Sequence, residues 1–474
     1  MSESNEMVIA RELIMKARAA QEVYATFSQK QFDKAARAAA KTVYDNAELF
    51  AREAVEETQM GNFHWKVYKK KNGMRNQWLY TKDKKSKGVI GWEKGKLDVD
   101  CILKIAKPAG VVGAITPCPS PVSTLGSNAM QALKGGNAII ICPHPKAKNV
   151  CFHAGELIRE ELTKLGAPAD LVQVVKEPSI AMTNAVISLV DVVVATGGPS
   201  MVKAAYSSGN PSFGVGQGNC QLLIDTGANE MFDDLAEKTI SNRIYDDGLP
   251  CTGEQTIIMP ESDKDAILDA FERHGAFVIN DEKIVDKIRV AIFDYHEETG
   301  TYTLAPKYAG MTPTNLGKDI GFKVPEDTKI LIFKLTKYGA EEPLCKEKLL
   351  SICGYITYSG EWSECVKIAK ANLSVEGAGH TSVVWSNNKE NQLYAGMEIP
   401  VCRLSINNSN VASTGGPYSS TGMVPTGGLG CGFWGGNAIS ENFNYSFLLN
   451  YTRLIYTVEG KPMPSDEEIW SEAN

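Results

Sequence analysis

Apolar residues near the start of the chain recur three and four positions apart. Val8, Ile9, Leu13, Ile14, Ala17 and Ala20 form one such series and Phe32, Ala35, Ala36, Ala39 and Val43 a second, which predicts amphipathic helices. Ser28-Gln29-Lys30-Gln31 has the pattern of a capping box opening the second helix, because a serine hydroxyl and a glutamine three residues on can satisfy each other's backbone donors. Asp45-Asn46-Ala47-Glu48 is a further start signal ahead of Leu49 and Phe50. These first helices read as scaffold.

From Gly110 the pattern shifts to short β-branched runs separated by helical stretches. The runs are Val111–Ile115, Asn137–Cys142, Leu171–Val175 and Val190–Ala195, an alternation that predicts βαβ units and a parallel sheet. Ligands of such sheets lie beyond the carboxyl ends of the strands. Those ends are Thr116-Pro117-Cys118-Pro119, Pro143-His144-Pro145-Lys146 and Thr196-Gly197-Gly198-Pro199. A second region of the same kind begins with Leu222–Asp225, a helical stretch from Glu230 to Ile244 and the strand Gln255–Met259, and it runs on through Lys329–Phe333 to about Leu404. The domains read as 1–225, 226–407 and 408–474. The last contains nine glycines between Gly415 and Gly436, too many for a helix or a central strand, and so a long irregular loop of the kind that often carries function. Tyr445–Val458 reads as a terminal helix or strand that could pair between subunits with Lys96–Ile105, part of a hairpin near 85–105.

Composition narrows the function classes. At 474 residues and 43% hydrophobic content the chain can bury more than one core, and a net charge of −7 offers no general attraction for nucleic acid or anionic lipid. No apolar run approaches the roughly 20 residues of a membrane span, and charges within Met1–Met7 argue against a secretory leader, so a cytoplasmic protein is expected. Eleven scattered cysteines without a Cys-x-x-Cys pair fit a reducing compartment, and Cys142 with His144 has no second ligand pair, so no metal site is expected.

Cys251 stands out among the thiols. Gly248-Leu249-Pro250 precedes it and Thr252-Gly253 follows, which sets it on a loop where a substrate can approach; a small core residue is the alternative. Cys118, on its proline-rich turn, is the next candidate nucleophile. Thr196-Gly197-Gly198, after an apolar run and ahead of a helical one, can turn backbone amides towards a dinucleotide phosphate or be an ordinary strand-to-helix turn. Gly214-Val215-Gly216-Gln217-Gly218 has neither dinucleotide-binding nor P-loop spacing.

Nine segments together resemble the aldehyde dehydrogenase superfamily, in particular its CoA-acylating branch. They are Val43–Glu48, Asn128–Gly135, Pro143–Lys148, Ala195–Gly198, Val202–Gly209, Gly248–Gln255, Leu344–Lys348, Gly377–Thr381 and Leu429–Asn437, and they span nearly the whole chain in order. The resemblance implies an α/β fold with a Rossmann-type cofactor domain, an α/β catalytic domain and a small oligomerisation element. It implies that Cys251 attacks an aldehyde, that hydride passes to NAD or NADP, and that CoA resolves the resulting thioester. Hydrolytic relatives carry Glu-Leu-Gly-Gly-Lys; aligning the glycines puts Val215 at the position of that glutamate, so no local base for water is offered and transfer to CoA is favoured.

The resemblance also assigns roles. His380 would polarise the aldehyde, orient CoA or move a proton, or else be a satisfied structural residue. Glu347 would position the nicotinamide ribose, with a surface charge as the alternative. Thr116, Pro117, His144, Pro145, Lys146, Thr196, Gly197, Gly198 and Gly216 would complete the cofactor site, where Lys146 and Lys148 would attract a 2′-phosphate. Ser120 stands where relatives have an asparagine that donates to the developing oxyanion; its shorter hydroxyl could still donate as a catalytic group, the Cys251 backbone amide could carry more of the load, or the departure marks a different aldehyde. The succinate-semialdehyde members suggest a short aldehyde with an anionic tail, and a sulfoacetaldehyde enzyme is the alternative. Arg243, Arg403, Ser413, Thr414, Ser419 and Ser420 are the residues expected to hold that anion, although Arg403 also fits a structural ion pair. A hydrolytic enzyme or a catalytically silent nucleotide-binding relative are the further alternatives. A homodimer or homotetramer is expected, with no nucleic acid or membrane partner.

Overall fold

In the computed structural model, which describes residues 4–96, 98–416, 421–460 and 462–471, the β-branched runs form a five-stranded parallel sheet. Its strands lie in the order Val172–Val174, Ala138–Pro143, Val111–Thr116, Val192–Thr196, Ser212–Val215. Strands Val111–Thr116 and Ala138–Pro143 are buried along their whole length, as expected where helices cover both faces of a parallel sheet. The strand order reverses between Val111–Thr116 and Val192–Thr196, which opens a crevice at their carboxyl ends.

The helices predicted at the start of the chain are present. Asn5–Tyr24 packs on Ile180–Leu189, and Gln29–Asp45 packs on Pro121–Lys134. Ser28 closes the capping box with Gln31, whereas Asn46 precedes the helix Ala47–Thr58 without a side-chain cap. A fourth helix, Phe63–Thr81, is not apparent from apolar spacing: Lys66, Lys70, Gln77 and Thr81 are buried on it alongside Met74.

The second unit is a seven-stranded parallel sheet in the order Ala276–Ile279, Ile330–Lys334, Ile352–Tyr358, Glu254–Pro260, Cys220–Ile224, Gly379–Trp385, Val401–Ile406. Separate apolar cores cover its two faces, one around Phe333, Ile356 and Trp362 and one around Leu235, Phe271 and Trp385. The change of sheet falls between Val215 and Cys220, ahead of the boundary expected at 225/226, because Cys220–Ile224 pairs with Glu254–Pro260 and Gly379–Trp385.

The third sheet is antiparallel, with Gly88–Glu93, Ile102–Pro108 and Leu449–Ile455 side by side. The terminal strand therefore pairs within its own chain, Tyr451 opposite Ala106, which corrects the expectation that this pairing joins subunits. Hydrogen bonds to residues distant in sequence hold the segment here: Gln131 accepts from the Tyr445 N–H at 2.8 Å, and Asn137 donates to the Leu448 carbonyl at 3.0 Å. Among the described residues no helix is long and apolar enough to cross a membrane.

Candidate active site

The carboxyl ends of the five-stranded sheet face the amino ends of the seven-stranded sheet across a cleft of about 900 Å³. Thr116, Pro117, Pro143, His144, Pro145, Thr196, Gly197 and Gly198 reach it from the first sheet. Cys251 and Thr252 reach it just before strand Glu254–Pro260, Glu347 and Leu349 before Ile352–Tyr358, and Gly216 and Gln217 before Cys220–Ile224.

Backbone bonds from three directions fix the turn that carries Cys251. Gly253 N–H closes it on the Pro250 carbonyl at 3.0 Å, and the Thr252 carbonyl accepts from Asn242 at 3.1 Å and from Asn410 at 2.9 Å. Arg243 packs beneath, so close that a Cβ on Gly253 would lie 2.2 Å from its Nη1. Gly218 meets the other side: a Cβ there would lie 2.1 Å from the Cys251 carbonyl oxygen and 3.0 Å from Glu347 Oε1. Cys251 and Cys402 are the partly exposed cysteines, and the other nine are buried.

Burial, with Glu347 and Cys431 beside it, pushes the Cys251 thiol up to about 12, against a smaller opposing pull from Lys69. A thiol shifted this way is protonated at neutral pH. Glu347 is itself pushed up to about 8, by burial and then by Glu376. It is the one carboxylate on the cleft wall among the described residues. Its Oε1 and the Thr116 hydroxyl are buried without a hydrogen-bond partner there, open polar groups of the kind a nucleotide ribose or amide would satisfy. Val215 also lines the cleft.

Several expected residues lie elsewhere. Arg243 is wholly buried and off the cleft wall; its guanidinium donates to the carbonyls of Lys348 at 2.9 Å, Ile352 at 3.1 Å and Leu350. Arg403 is spent on the carbonyls of Gly430 and Ser440, so both arginines brace backbone, and neither is offered to an anion. Ser413 is buried with its hydroxyl on the Asn410 carbonyl at 2.6 Å, while Thr414 does line the cleft. Ser419 and Ser420 fall outside the described residues. His380 is fully buried behind the wall, with Nδ1 3.0 Å from Thr381 Oγ1, and burial followed by the Arg403 charge drops it to about 3, a neutral imidazole. Cys118 lines the cleft, but burial raises its thiol. Lys146 is exposed beside His144, whose Nδ1 accepts from the Lys146 N–H at 3.1 Å. Lys148 is paired with Glu177 at 2.6 Å, which offsets the attraction it would have for a 2′-phosphate.

Sequence reading missed the wall supplied by helix Phe63–Thr81. Trp65, Tyr68, Lys69, Asn72, Arg75 and Asn76 line the cleft, and Lys69 and Arg75 are the lysine and arginine on it among the described residues. Behind them lies a buried ion cluster: Asp246 takes Lys66 at 3.0 Å and Lys69 at 2.5 Å. Burial works against the Asp246 charge, but the two lysines hold its carboxyl below the usual range. Burial and then Lys69 pull Lys66 down to about 8, and burial followed by Lys66 and Lys69 pulls Lys70 to about 7. Asp246 and Asp247 both adopt left-handed backbone (φ 48° and 57°), an uncommon conformation away from glycine that aims Asp246 into the lysines. Tyr-Asp-Asp-Gly ahead of a loop cysteine was the available sequence signal, since aspartate tolerates this conformation better than most residues.

Residues 4–281 match the Aldehyde dehydrogenase family. Over 467 residues, 98% of this chain and 100% of the relative, the sequence is 43% identical to a succinate-semialdehyde dehydrogenase (acetylating) of Clostridium kluyveri. It is 36% identical to a sulfoacetaldehyde dehydrogenase of an Acholeplasma species, over 97% of this chain and 93% of that one. The crystal structure of an acetylating aldehyde dehydrogenase from Geobacillus thermoglucosidasius has a TM-score of 0.88 at 30% identity, with 97% of this chain and 98% of that one covered.

Two outcomes are expected from this geometry. Iodoacetamide should alkylate Cys251 about tenfold faster per pH unit from pH 7 to 9, because the thiolate fraction grows tenfold per unit far below the thiol's pKa. Glu347, ionising near 8, opposes the thiolate and keeps the slope at or below that value. Peptide mass spectrometry follows the site, and a plateau below pH 8 would show that burial does not dominate. Gly218→Ala should force the Cys251 turn away from Glu347 and cut turnover at least tenfold while costing about 1–3 kcal/mol of stability; wild-type turnover would show that the contact is not needed.

Proposed function

Because the chain belongs to the aldehyde dehydrogenase family, we propose that it is a CoA-acylating aldehyde dehydrogenase: aldehyde, CoA and oxidised NAD(P) give acyl-CoA, reduced NAD(P) and a proton, reversibly. The observation that carries this reading is a loop thiol, Cys251, sharing one cleft with the strand ends of a reversed parallel sheet. When bound, the nicotinamide accepts hydride. Thr116, His144, Thr196, Gly197, Gly198 and Gly216 are proposed to hold the cofactor, and Glu347 to take its nicotinamide-side ribose through the unpartnered Oε1.

Cys251 sulfur bonds to the aldehyde carbon as the thiol proton passes to solvent, where it is the proton released by the overall reaction, and loss of hydride from that carbon leaves a thioester on Cys251. Thiol transfer to CoA then resolves it, since a thioester stays reactive towards a second thiol. Glu347 is the single wall carboxylate among the described residues and is mostly protonated at neutral pH, so water finds little base and hydrolysis is disfavoured.

The substrate is proposed to be a short aldehyde with an anionic tail, of the succinate semialdehyde type. Its support is the likeness to the Clostridium kluyveri relative together with the Arg75 side chain on the cleft wall. The Acholeplasma relative favours sulfoacetaldehyde as the second reading, since a sulfonate makes similar demands. Lys146, exposed beside His144, supports acceptance of NADP as well as NAD.

Initial rates with succinate semialdehyde, sulfoacetaldehyde, acetaldehyde and butyraldehyde, each with and without CoA and with either cofactor, test the proposal. CoA-dependent reduction with an anionic aldehyde preferred in kcat/KM is expected, and Cys251→Ala should abolish it. Carboxylate formed equally fast without CoA, or preference for the uncharged aldehydes, would overturn it. The enzyme is further proposed to act in the cytoplasm as a homodimer or homotetramer, supported by exposed Val89, Trp92 and Ile455 on the three-stranded sheet. Sedimentation velocity should find no active monomer, and a stable active monomer would contradict the assembly.

A further inference from the structure

When Cys251 attacks, a sulfur–carbon bond forms and the carbonyl π electrons move onto oxygen, so negative charge appears beside the sulfur on a largely buried wall of the cleft. Donors fixed in advance around that oxygen are worth more than the same groups in solvent. Lys69 is placed for this. Its side chain is 14% exposed, its Nζ lies 2.5 Å from Asp246 Oδ2 and 2.7 Å from Ser120 Oγ, and it lines the cleft with Cys251. An ammonium has three N–H groups, and these two bonds leave one uncommitted, with the Tyr245 ring centroid 5.6 Å from Nζ. Arg75, the other wall cation, is exposed and bonded to Asn72 at 3.2 Å.

Ser120 adds an independent observation. It is the N-cap of helix Pro121–Lys134, a position whose hydroxyl usually accepts from the first turn, yet it makes no such bond. The hydroxyl turns to Lys69 instead, and by accepting there it keeps its own proton to donate into the cleft. Asp246 fixes the ammonium, and Lys66 beside it is held to Asp246 at 3.0 Å and to the Pro119 carbonyl at 2.6 Å.

We propose that Lys69, together with the Ser120 hydroxyl it polarises, is the donor pair that stabilises the aldehyde oxygen during attack by Cys251, with Asp246 as the positioning residue. The negative charge is released when hydride leaves carbon and the carbonyl re-forms as the thioester, so neither donor gives up a proton in the cycle. The assignment rests on Cys251 being the nucleophile. The Lys69 charge also favours the Cys251 thiolate, in keeping with an ammonium near the sulfur.

Lys69→Met, Lys69→Arg and Ser120→Ala, in the full-length enzyme, test it with succinate semialdehyde and butyraldehyde in parallel. Lys69→Met should lower kcat by about 100-fold or more for both aldehydes alike. KM for CoA and NAD(P) and the fluorescence titration of cofactor binding should stay as in the wild type. Ser120→Ala, which keeps the Lys69–Asp246 pair, should lose about tenfold on both aldehydes, and Lys69→Arg should recover part of the loss. A Lys69→Met loss confined to succinate semialdehyde, with a raised KM, would overturn the proposal and make Lys69 an anchor for the anionic tail. Unchanged rates on both would make the cluster purely structural. Activity surviving in Cys251→Ala would instead remove the nucleophile assignment, so the two failures are distinct.

Discussion

The wholly buried Arg243 guanidinium is the interaction on which the site depends. It ties the carbonyls of Lys348, Leu350 and Ile352 together and lies against Gly253, so the Cys251 turn and the segment carrying Glu347 are held by one side chain. Breaking such a brace would take one donor from each of three buried carbonyls, of which Lys348 and Leu350 would keep a backbone N–H partner at 2.7 Å and 2.9 Å. Because the strand Glu254–Pro260 starts directly after the turn, the rigidity of the seven-stranded sheet is transmitted to the thiol. The five-stranded sheet then needs only to present its carboxyl ends, which the reversal of strand order does without special residues.

Electrostatics of the cleft follow from that rigidity. A dry wall favours neutral forms, and Cys251, Glu347 and His380 are all shifted that way by burial. The exception is Asp246, whose carboxyl the neighbouring lysines hold below the usual range even though burial pulls Lys66 and Lys70 down. Charge is thus absent at the nucleophile and concentrated a short way off, an arrangement that becomes useful only when negative charge develops in the reaction.

The parallel sheet and its ligand-facing strand ends were legible in the sequence, since β-branched runs and turn formers report local backbone preference. The placement of Cys251 on a partly exposed loop was legible because glycine and proline flank it. Helix Phe63–Thr81 was not, because its buried face is largely Lys66, Lys70 and Gln77, and burial of such residues depends on partners distant in sequence, Asp246 among them. Arg243 and Arg403 read as anion ligands for the complementary reason: a guanidinium in a sequence does not reveal which carbonyls the fold will bring to it. The sheet membership of Cys220–Ile224 was equally hidden, because strand pairing is decided by neighbours far along the chain.

The central claim is that acyl transfer proceeds through a thioester on Cys251. It is tested most directly by mixing the enzyme with succinate semialdehyde and oxidised cofactor in the absence of CoA, quenching in acid, and mapping the adduct by peptide mass spectrometry. The account predicts a single acyl group on the peptide containing Cys251, formed with one equivalent of reduced cofactor and discharged as acyl-CoA when CoA is added before the quench. An adduct on another residue, or reduced cofactor accumulating with carboxylate and no acylated Cys251, would contradict it.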